Sequence, residues 1–167
     1  MQDVPINPED LKRLHYWSGL ALLTAQHLEY GFKYLLWMLA ERGIIAFDPE
    51  SATDLMENRA KLTLGQLLKT LGEHVTITDE VAEPFKKALD ARNRFIHGFL
   101  VDRTDEIADP LKRNGVIREI KEIRATMLDG QEIIQNGIRQ LIRLYGVELD
   151  DLQRQLHDEI RALNAGE

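Results

Sequence analysis

A long amphipathic repeat near the start of the chain restricts the fold more than any other feature of the sequence. It follows a helix start at residues 7–10, where Asn7 can cap the helix, Pro8 takes the first helical position and two acids face the positive end of the dipole. From there apolar or small residues recur in alternating steps of three and four: Leu11, Leu14, Ser18, Ala21, Ala25, Leu28, Phe32, Leu35 and Leu39. This spacing predicts one long helix with a continuous buried stripe, ending near Gly43.

The remaining sequence also favours helices. It predicts a short helix over residues 63–72, a helix opening at residues 78–80 that begins or kinks at Pro84, an exposed loop over residues 102–114, a long helix over residues 116–145, and a further three-four apolar repeat over residues 147–167. We therefore predict an all-α, up-down helical bundle of about five helices. Residues 1–167 form a single domain in this prediction, and residues 147–167 form an appended helix that covers the bundle or pairs with a second subunit.

Two of these helices carry recognisable inner faces. In the segment after residue 78 the predicted buried stripe is formed by Phe85, Leu89 and Ile96, with Ala88 and Phe95 packing beside it. In the long helix the predicted inner face runs through Ile120, Ile123, Met127, Ile134, Ile138, Leu141 and Leu144 or Tyr145. Gly130 and Gly137 lie in the same helix, and their small size would permit a close helix crossing at a cost of about 1 kcal/mol each relative to Ala.

Composition narrows the environment and the ligands. The chain has no cysteine, which removes disulfides and thiolate metal sites, and its net charge of −7 argues against indiscriminate binding to nucleic acid. Residues 86–124 are an exception, with ten Lys or Arg against seven Asp or Glu. No secretory signal is recognisable, and the longest stretch without charged residues, 14–28, is shorter than the roughly 20 apolar residues of a membrane span. We expect a soluble, cytoplasmic protein with no membrane partner.

The basic region contains a group of residues suited to RNA cleavage. Metal-independent cleavage needs a group that transfers a proton near working pH, for which His97 is suited, and a cation for the phosphate, for which Arg92 is suited. Asn93 lies four residues before His97 and could orient the imidazole or a phosphate oxygen, while Arg94 could contact the RNA backbone. In a regular helix Arg92 and His97 point roughly 140° apart. Two copies of the motif meeting across a two-fold axis would close a pocket better than one.

Other interpretations of the same residues stay open. Arg92, Asn93 and His97 could form a solvated helix face that ends at Gly98, with the histidine on the negative end of the dipole. Glu29, on the first helix, could reach the motif as a supporting acid or could serve a solvated or dimer contact. The other four histidines show no metal-ligand spacing, so we expect no metal and no cofactor.

The segment 89–99, LDARNRFIHGF, resembles the signature of the HEPN superfamily (higher eukaryotes and prokaryotes nucleotide-binding domains). That signature is an Arg, a polar residue and then a His that follows the Arg after four to six intervening positions, which Arg92, Asn93 and His97 match. The resemblance implies a helical bundle that dimerises to form a composite, metal-independent RNase site, commonly in toxin-antitoxin, phage-defence or RNA-processing systems. An antitoxin or inhibitor protein is then an expected partner. Members paired with a nucleotidyltransferase antitoxin usually carry Tyr two residues after the His. Phe99 stands there in this chain, which argues against control by nucleotidylation.

Three functions follow as hypotheses. The first is a HEPN-type endoribonuclease in which Arg92, Asn93 and His97 are catalytic and Arg94 binds substrate. The second is a non-catalytic HEPN-like module that binds RNA, a nucleotide or a protein. The third is a helical adaptor with no link to nucleic acid, in which Arg92 and His97 face solvent away from any dimer axis.

Overall fold

The computed structural model describes residues 8–45, 54, 56, 64–74 and 76–145. Within these residues the chain is helical and contains no strand, which confirms the all-α bundle. The elements are α1 (Pro8–Glu41), α2 (Leu64–His74), α3 (Asp79–Arg94), a π-helical turn (Phe95–Phe99), α4 (Leu100–Asp102), α5 (Thr104–Ala108) and α6 (Arg113–Tyr145). The chain divides into two compact units between Ile134 and Gln135. The packing described below lies in the unit that ends at Ile134.

Helix α1 has the bounds that its sequence predicts. It begins at Pro8 and ends at Glu41, just before Gly43, whose φ of 63° is in the left-handed region. The amide of Gly43 donates to the carbonyl of Ala40 at 2.8 Å, and the amide of Ile44 donates to that of Leu39 at 2.9 Å. This is the Schellman arrangement, in which a glycine satisfies the last carbonyls of a helix. Most of the predicted stripe is buried: Leu14, Ala21, Ala25, Leu28, Phe32 and Leu39.

Helices α1, α3 and α6 form the centre of the unit. Contacts between α1 and α6 advance in the same direction along both helices, from Arg13–Asn114 to Gly31–Ile134, so the two helices run parallel. Contacts of α1 with α3 run in opposite directions, because Glu29 meets Arg92 whereas Phe32 meets Phe85. The three helices therefore alternate up, down and up in chain order. Of the predicted inner face of α6, Ile120, Ile123, Met127 and Ile134 are buried, which confirms that part of the prediction. Ile138 and Leu141 are only partly buried, and Leu144 and Tyr145 are exposed, so the prediction is wrong for the end of the helix.

Gly130 lies where these three helices meet. A Cβ at this position would overlap the Cβ of Ala88 on α3 and lie 3.2 Å from Cδ1 of Leu28 on α1. Ala88 and Leu28 are both fully buried. The predicted close crossing at Gly130 is confirmed, whereas Gly137 belongs to the other unit.

The helix that carries the motif begins at Asp79, within the predicted opening at residues 78–80, and Pro84 lies inside it. The carbonyl of Thr78 accepts the amides of Val81 and Ala82 and so establishes a helical turn before the proline. Phe95 is buried as predicted, whereas Ile96, also predicted to be buried, is 37% exposed. The chain kinks at Gly98, two residues after Ile96, and Phe99 on the far side of the kink is buried.

The segment predicted as an exposed loop, residues 102–114, is largely helical and partly buried. It contains α5 and the start of α6, and Arg113 is almost completely buried. The guanidinium of Arg113 donates from Nε to the carbonyl of Ile107 at 2.8 Å, so it satisfies the C-terminal end of α5. The predicted helix over residues 147–167 lies outside the described residues. In the described part of the chain, no helix combines the length and apolar character that crossing a membrane requires.

Candidate functional site

The motif residues lie at the junction between α3 and the π-helical turn. Arg92 and Asn93 belong to the last turn of α3, and His97 is the central residue of the π-helical turn. The turn is held to the core by Phe95 and Phe99, whose rings stack with centroids 6.1 Å apart. At Gly98 the backbone leaves helical geometry, with φ 175° and ψ −13°, and the helix then continues into α4. The regular helix is therefore interrupted at Gly98, where the alternative interpretation predicted its end, and a short helical segment follows the kink.

Arg92 is held in place by two neighbours. Its Nη2 donates to a carboxylate oxygen of Glu29 on α1, and its Nη1 donates to Oδ1 of Asn93 at 3.0 Å. The side chain is only 17% exposed, and its Nε is buried without a hydrogen-bond partner among the described residues. A guanidinium has five N–H donors. Nη1 and Nη2 therefore each keep one further hydrogen for an incoming acceptor.

Glu29 links the motif to α1. Its second oxygen accepts a hydrogen bond from Lys33 at 2.8 Å, one helical turn away, and the Lys33 side chain is only 8% exposed. Burial by itself would raise the pKa of Glu29. The hydrogen bond from Lys33 and the positive charges of Arg92 and Lys33 outweigh burial and hold this pKa below its ordinary value. Glu29 is thus an anion between two cations. The sequence left open whether Glu29 reaches the motif, and in the structure it contacts Arg92 of the motif.

His97 is placed differently from Arg92. Its side chain is exposed, and it makes no hydrogen bond with the described residues. The non-helical dihedral angles of the turn belong to Gly98, one residue after His97, so Arg92 and His97 keep the angular separation of roughly 140° that helical geometry gives. The structure thus joins Arg92 to Asn93, and it shows no contact between either of them and His97.

Arg94 takes part in a separate network with α6. It pairs with Glu119, which also accepts hydrogen bonds from Nε and Nη2 of Arg103, each at 3.2 Å. Arg103 further donates to Glu106 at 3.3 Å. Burial tends to raise the pKa of Glu119, but hydrogen bonds and charges from Arg103 and Arg94 lower it below its ordinary value. In this structure the guanidinium of Arg94 is directed to a carboxylate of the protein.

Sequence reasoning missed four members of these networks: Lys33, Arg103, Glu106 and Glu119. The spacing of Lys33 four residues after Glu29 is the usual spacing of an ion pair on a helix, and it could have indicated that contact. Glu119 and Arg103 gave no comparable signal, because they are 16 residues apart and meet through tertiary packing.

A cavity of about 510 Å³ lies beside the second network. Its lining includes Arg103, Lys112 and Asn114 from the segment predicted as an exposed loop, and Arg118 and Glu119 from α6. Arg92, Asn93 and His97 are not among the lining residues. Across the described residues, no three His, Asp or Glu side chains are grouped closely enough to hold a metal ion.

Comparisons with protein-family models, with curated proteins and with solved structures gave no match to this chain.

Proposed function

We propose that this chain is a metal-independent endoribonuclease of HEPN type that acts as a homodimer with a composite site. The observation that supports the proposal is that a partly buried, oriented Arg92 and an exposed His97 lie on adjoining turns of the chain. An oriented guanidinium suits charge stabilisation, since its geometry is fixed before a phosphate arrives. A solvent-accessible imidazole suits proton transfer to and from a ribose.

The chemistry follows from these two groups. In the proposed reaction the ribose 2′-oxygen attacks the adjacent phosphorus and loses its proton, the bond from phosphorus to the 5′-oxygen breaks, and that oxygen gains a proton. His97 acts as the general base or the general acid, and Arg92 stabilises the negative charge on the phosphorane. Asn93, which accepts a hydrogen bond from Arg92, orients that guanidinium. The products are a 2′,3′-cyclic phosphate and a 5′-hydroxyl, and no divalent ion takes part.

A dimer supplies what one motif lacks. The reaction needs one group that accepts a proton and another that donates one, and each chain offers one histidine at this position. Two chains related by a two-fold axis would contribute two histidines and two arginines to one crevice. Cleavage by such a site depends on protein concentration, because it requires the dimer.

The direct test incubates purified protein with a mixed-sequence RNA in EDTA and identifies the product ends by mass spectrometry. We expect 2′,3′-cyclic phosphate ends with the wild type and loss of cleavage with His97→Ala and with Arg92→Ala. His27→Ala is the matched control, since His27 is an exposed histidine on α1. Cleavage that survives both motif substitutions, or that EDTA abolishes, would refute the assignment of roles.

The dimer is tested separately by sedimentation equilibrium and by mixing variants. A heterodimer of His97→Ala and Arg92→Ala subunits retains one intact histidine and one intact arginine. In a composite site it should therefore cleave differently from either homodimer. Monomers that cleave RNA at full rate would refute the composite site.

A second function is favoured by the contacts of Arg92. Its bonds to Glu29 and Asn93 are also what a purely structural arginine would make, so a non-catalytic module that binds RNA, a nucleotide or a protein is the alternative. Fluorescence anisotropy with a short RNA separates the two functions, because the module binds RNA or a nucleotide without producing cyclic phosphate. We further propose a toxin or phage-defence role in the cytoplasm with an inhibitor protein. Growth arrest on expression of the wild type but not of His97→Ala would support that role.

A further inference from the structure

The π-helical turn is flanked on both sides by arginines that share one carboxylate. Arg94 is the residue before the turn, and Arg103 follows it four residues after Phe99. Both donate to Glu119 on α6, and Arg103 does so through two nitrogens in the bidentate manner that gives a guanidinium and a carboxylate a fixed relative orientation. The polypeptide that enters the turn and the polypeptide that leaves it are thereby joined to a single side chain of a third helix.

Both arginines also lie over one ring within the turn. The guanidinium carbon of Arg94 is 5.4 Å from the centroid of the Phe99 ring, and that of Arg103 is 5.8 Å from it. Phe99 is only 3% exposed and stacks on Phe95, so its ring is a fixed surface against which the two cations are held. Glu119 thus keeps two like charges close together on the aromatic face.

His97 lies between the two arginines in the chain. Its imidazole forms no hydrogen bond within the described residues, and the next residue, Gly98, has non-helical dihedral angles. The backbone of the turn therefore sets the position of the His97 Cα and with it the region that the imidazole can reach. Arg94 and Arg103 connect this backbone to α6 through Glu119.

We propose that Glu119 is a positioning residue, which holds the π-helical turn, and with it His97, through Arg94 and Arg103. The effect on catalysis rests on the proposed function, whereas the effect on the turn does not. Removing the charge of Glu119 leaves Arg94 and Arg103 side by side without their shared anion. The turn then loses its ion-pair connection to α6, while the packing of Phe95 and Phe99 remains, and it samples a wider range of conformations.

The test compares Glu119→Gln with Glu122→Gln, which removes an exposed carboxylate three residues further along the same helix. Amide hydrogen exchange followed by NMR is the first measurement. Glu119→Gln should accelerate exchange at residues 95–99 by about tenfold or more while leaving the α1 amides unchanged, and Glu122→Gln should not. Equal exchange at residues 95–99 in the two variants, or acceleration spread equally over α1, would overturn the proposal.

The second measurement is RNA cleavage. Displacement of a catalytic group such as His97 slows the reaction, so Glu119→Gln should lower kcat by about tenfold to a hundredfold with little change in KM. Glu119→Asp, which keeps the carboxylate, should recover part of the lost kcat. A change in KM alone would overturn the positioning role and indicate an RNA contact instead. If the wild type cleaves no RNA, the proposed function fails, and the exchange measurement still decides whether Glu119 holds the turn.

Discussion

Replacing Gly130 with Ala tests the close crossing of α1, α3 and α6. In an open position of a helix this substitution stabilises a protein by about 1 kcal/mol, because alanine has the higher helix propensity. At Gly130 the new Cβ would overlap the Cβ of Ala88, an atom attached directly to the backbone that has no rotamer by which to move away. Overpacking of a buried site costs about 1–3 kcal/mol. Because the new Cβ overlaps a fully buried residue, the cost of Gly130→Ala should lie near the upper end of this range, at about 3 kcal/mol.

The cost of overpacking and the gain in helix propensity together give Gly130→Ala a net destabilisation of about 2 kcal/mol. For a chain of this size the melting temperature should fall by about 4–8 °C. Urea denaturation followed by circular dichroism measures the free energy of unfolding. Gly19→Ala is the matched control, since Gly19 lies in α1 and a Cβ added there would meet nothing within 4 Å, so this variant should gain about 1 kcal/mol.

A compensating substitution makes the prediction sharper. Ala88→Gly removes the atom that Gly130→Ala would meet, so the double variant should be more stable than Gly130→Ala alone. The two substitutions should therefore be coupled by about 2–3 kcal/mol. The reasoning about this crossing is refuted if Gly130→Ala is as stabilising as Gly19→Ala. It is also refuted if the destabilisation of the double variant equals the sum of the destabilisations of the two single variants.

Two further predictions concern the carboxylates. Glu29→Gln should lower the free energy of unfolding by about 1–3 kcal/mol, because Arg92 and Lys33 lose their shared anion. Breaking a fully buried pair costs about 3–5 kcal/mol, and the 30% exposure of Glu29 screens part of that cost. Urea denaturation beside the control Glu122→Gln measures the loss, and equal values for the two variants would contradict the prediction. Stability should also fall in acid, because the fold lowers the pKa values of Glu29 and Glu119. The contribution of these two carboxylates to the free energy of unfolding is complete above the ordinary pKa of 4.5, and it is lost as the pH falls through their lowered pKa values in the folded state. Urea denaturation from neutral pH to about pH 3 should show a smaller acid loss for Glu29→Gln than for the wild type, and identical slopes would contradict the role given to Glu29.

Much of the fold could be predicted because its causes are local. The start of α1 at Pro8, its end before Gly43 and the buried stripe between them follow from capping chemistry and helical spacing, which involve residues only a few positions apart. The close approach at Gly130 was also visible, since a glycine on the inner face of a long helix indicates a crossing.

The errors arose where tertiary packing overrides a local pattern. Ile96 was assigned to the core on a seven-residue repeat from Leu89, but Phe95 and Phe99 on either side of it are the residues buried next to the kink at Gly98. The segment around Arg113 was assigned to an exposed loop from its turn-forming and charged residues. Its buried guanidinium instead bonds the carbonyl of Ile107, a contact that composition alone does not reveal.

The candidate site could be predicted only in part. Arg92, Asn93 and His97 were found from residue type and spacing, and their catalytic roles stay a prediction. The contact of Glu29 with Arg92 spans 63 positions of the chain, and no spacing rule reaches across that separation. Glu29 could therefore be offered only as an alternative until the packing of α1 on α3 was known.

The kink at Gly98 separates the spacing within the motif from the course that the chain takes after it. In a regular helix each additional residue between an arginine and a histidine rotates the histidine by about 100°. In this chain the non-helical dihedral angles come one residue after His97, so the four residues between Arg92 and His97 precede the change in direction. A different bend at Gly98 would redirect α4 and the residues beyond it without moving the backbone of Arg92 relative to that of His97.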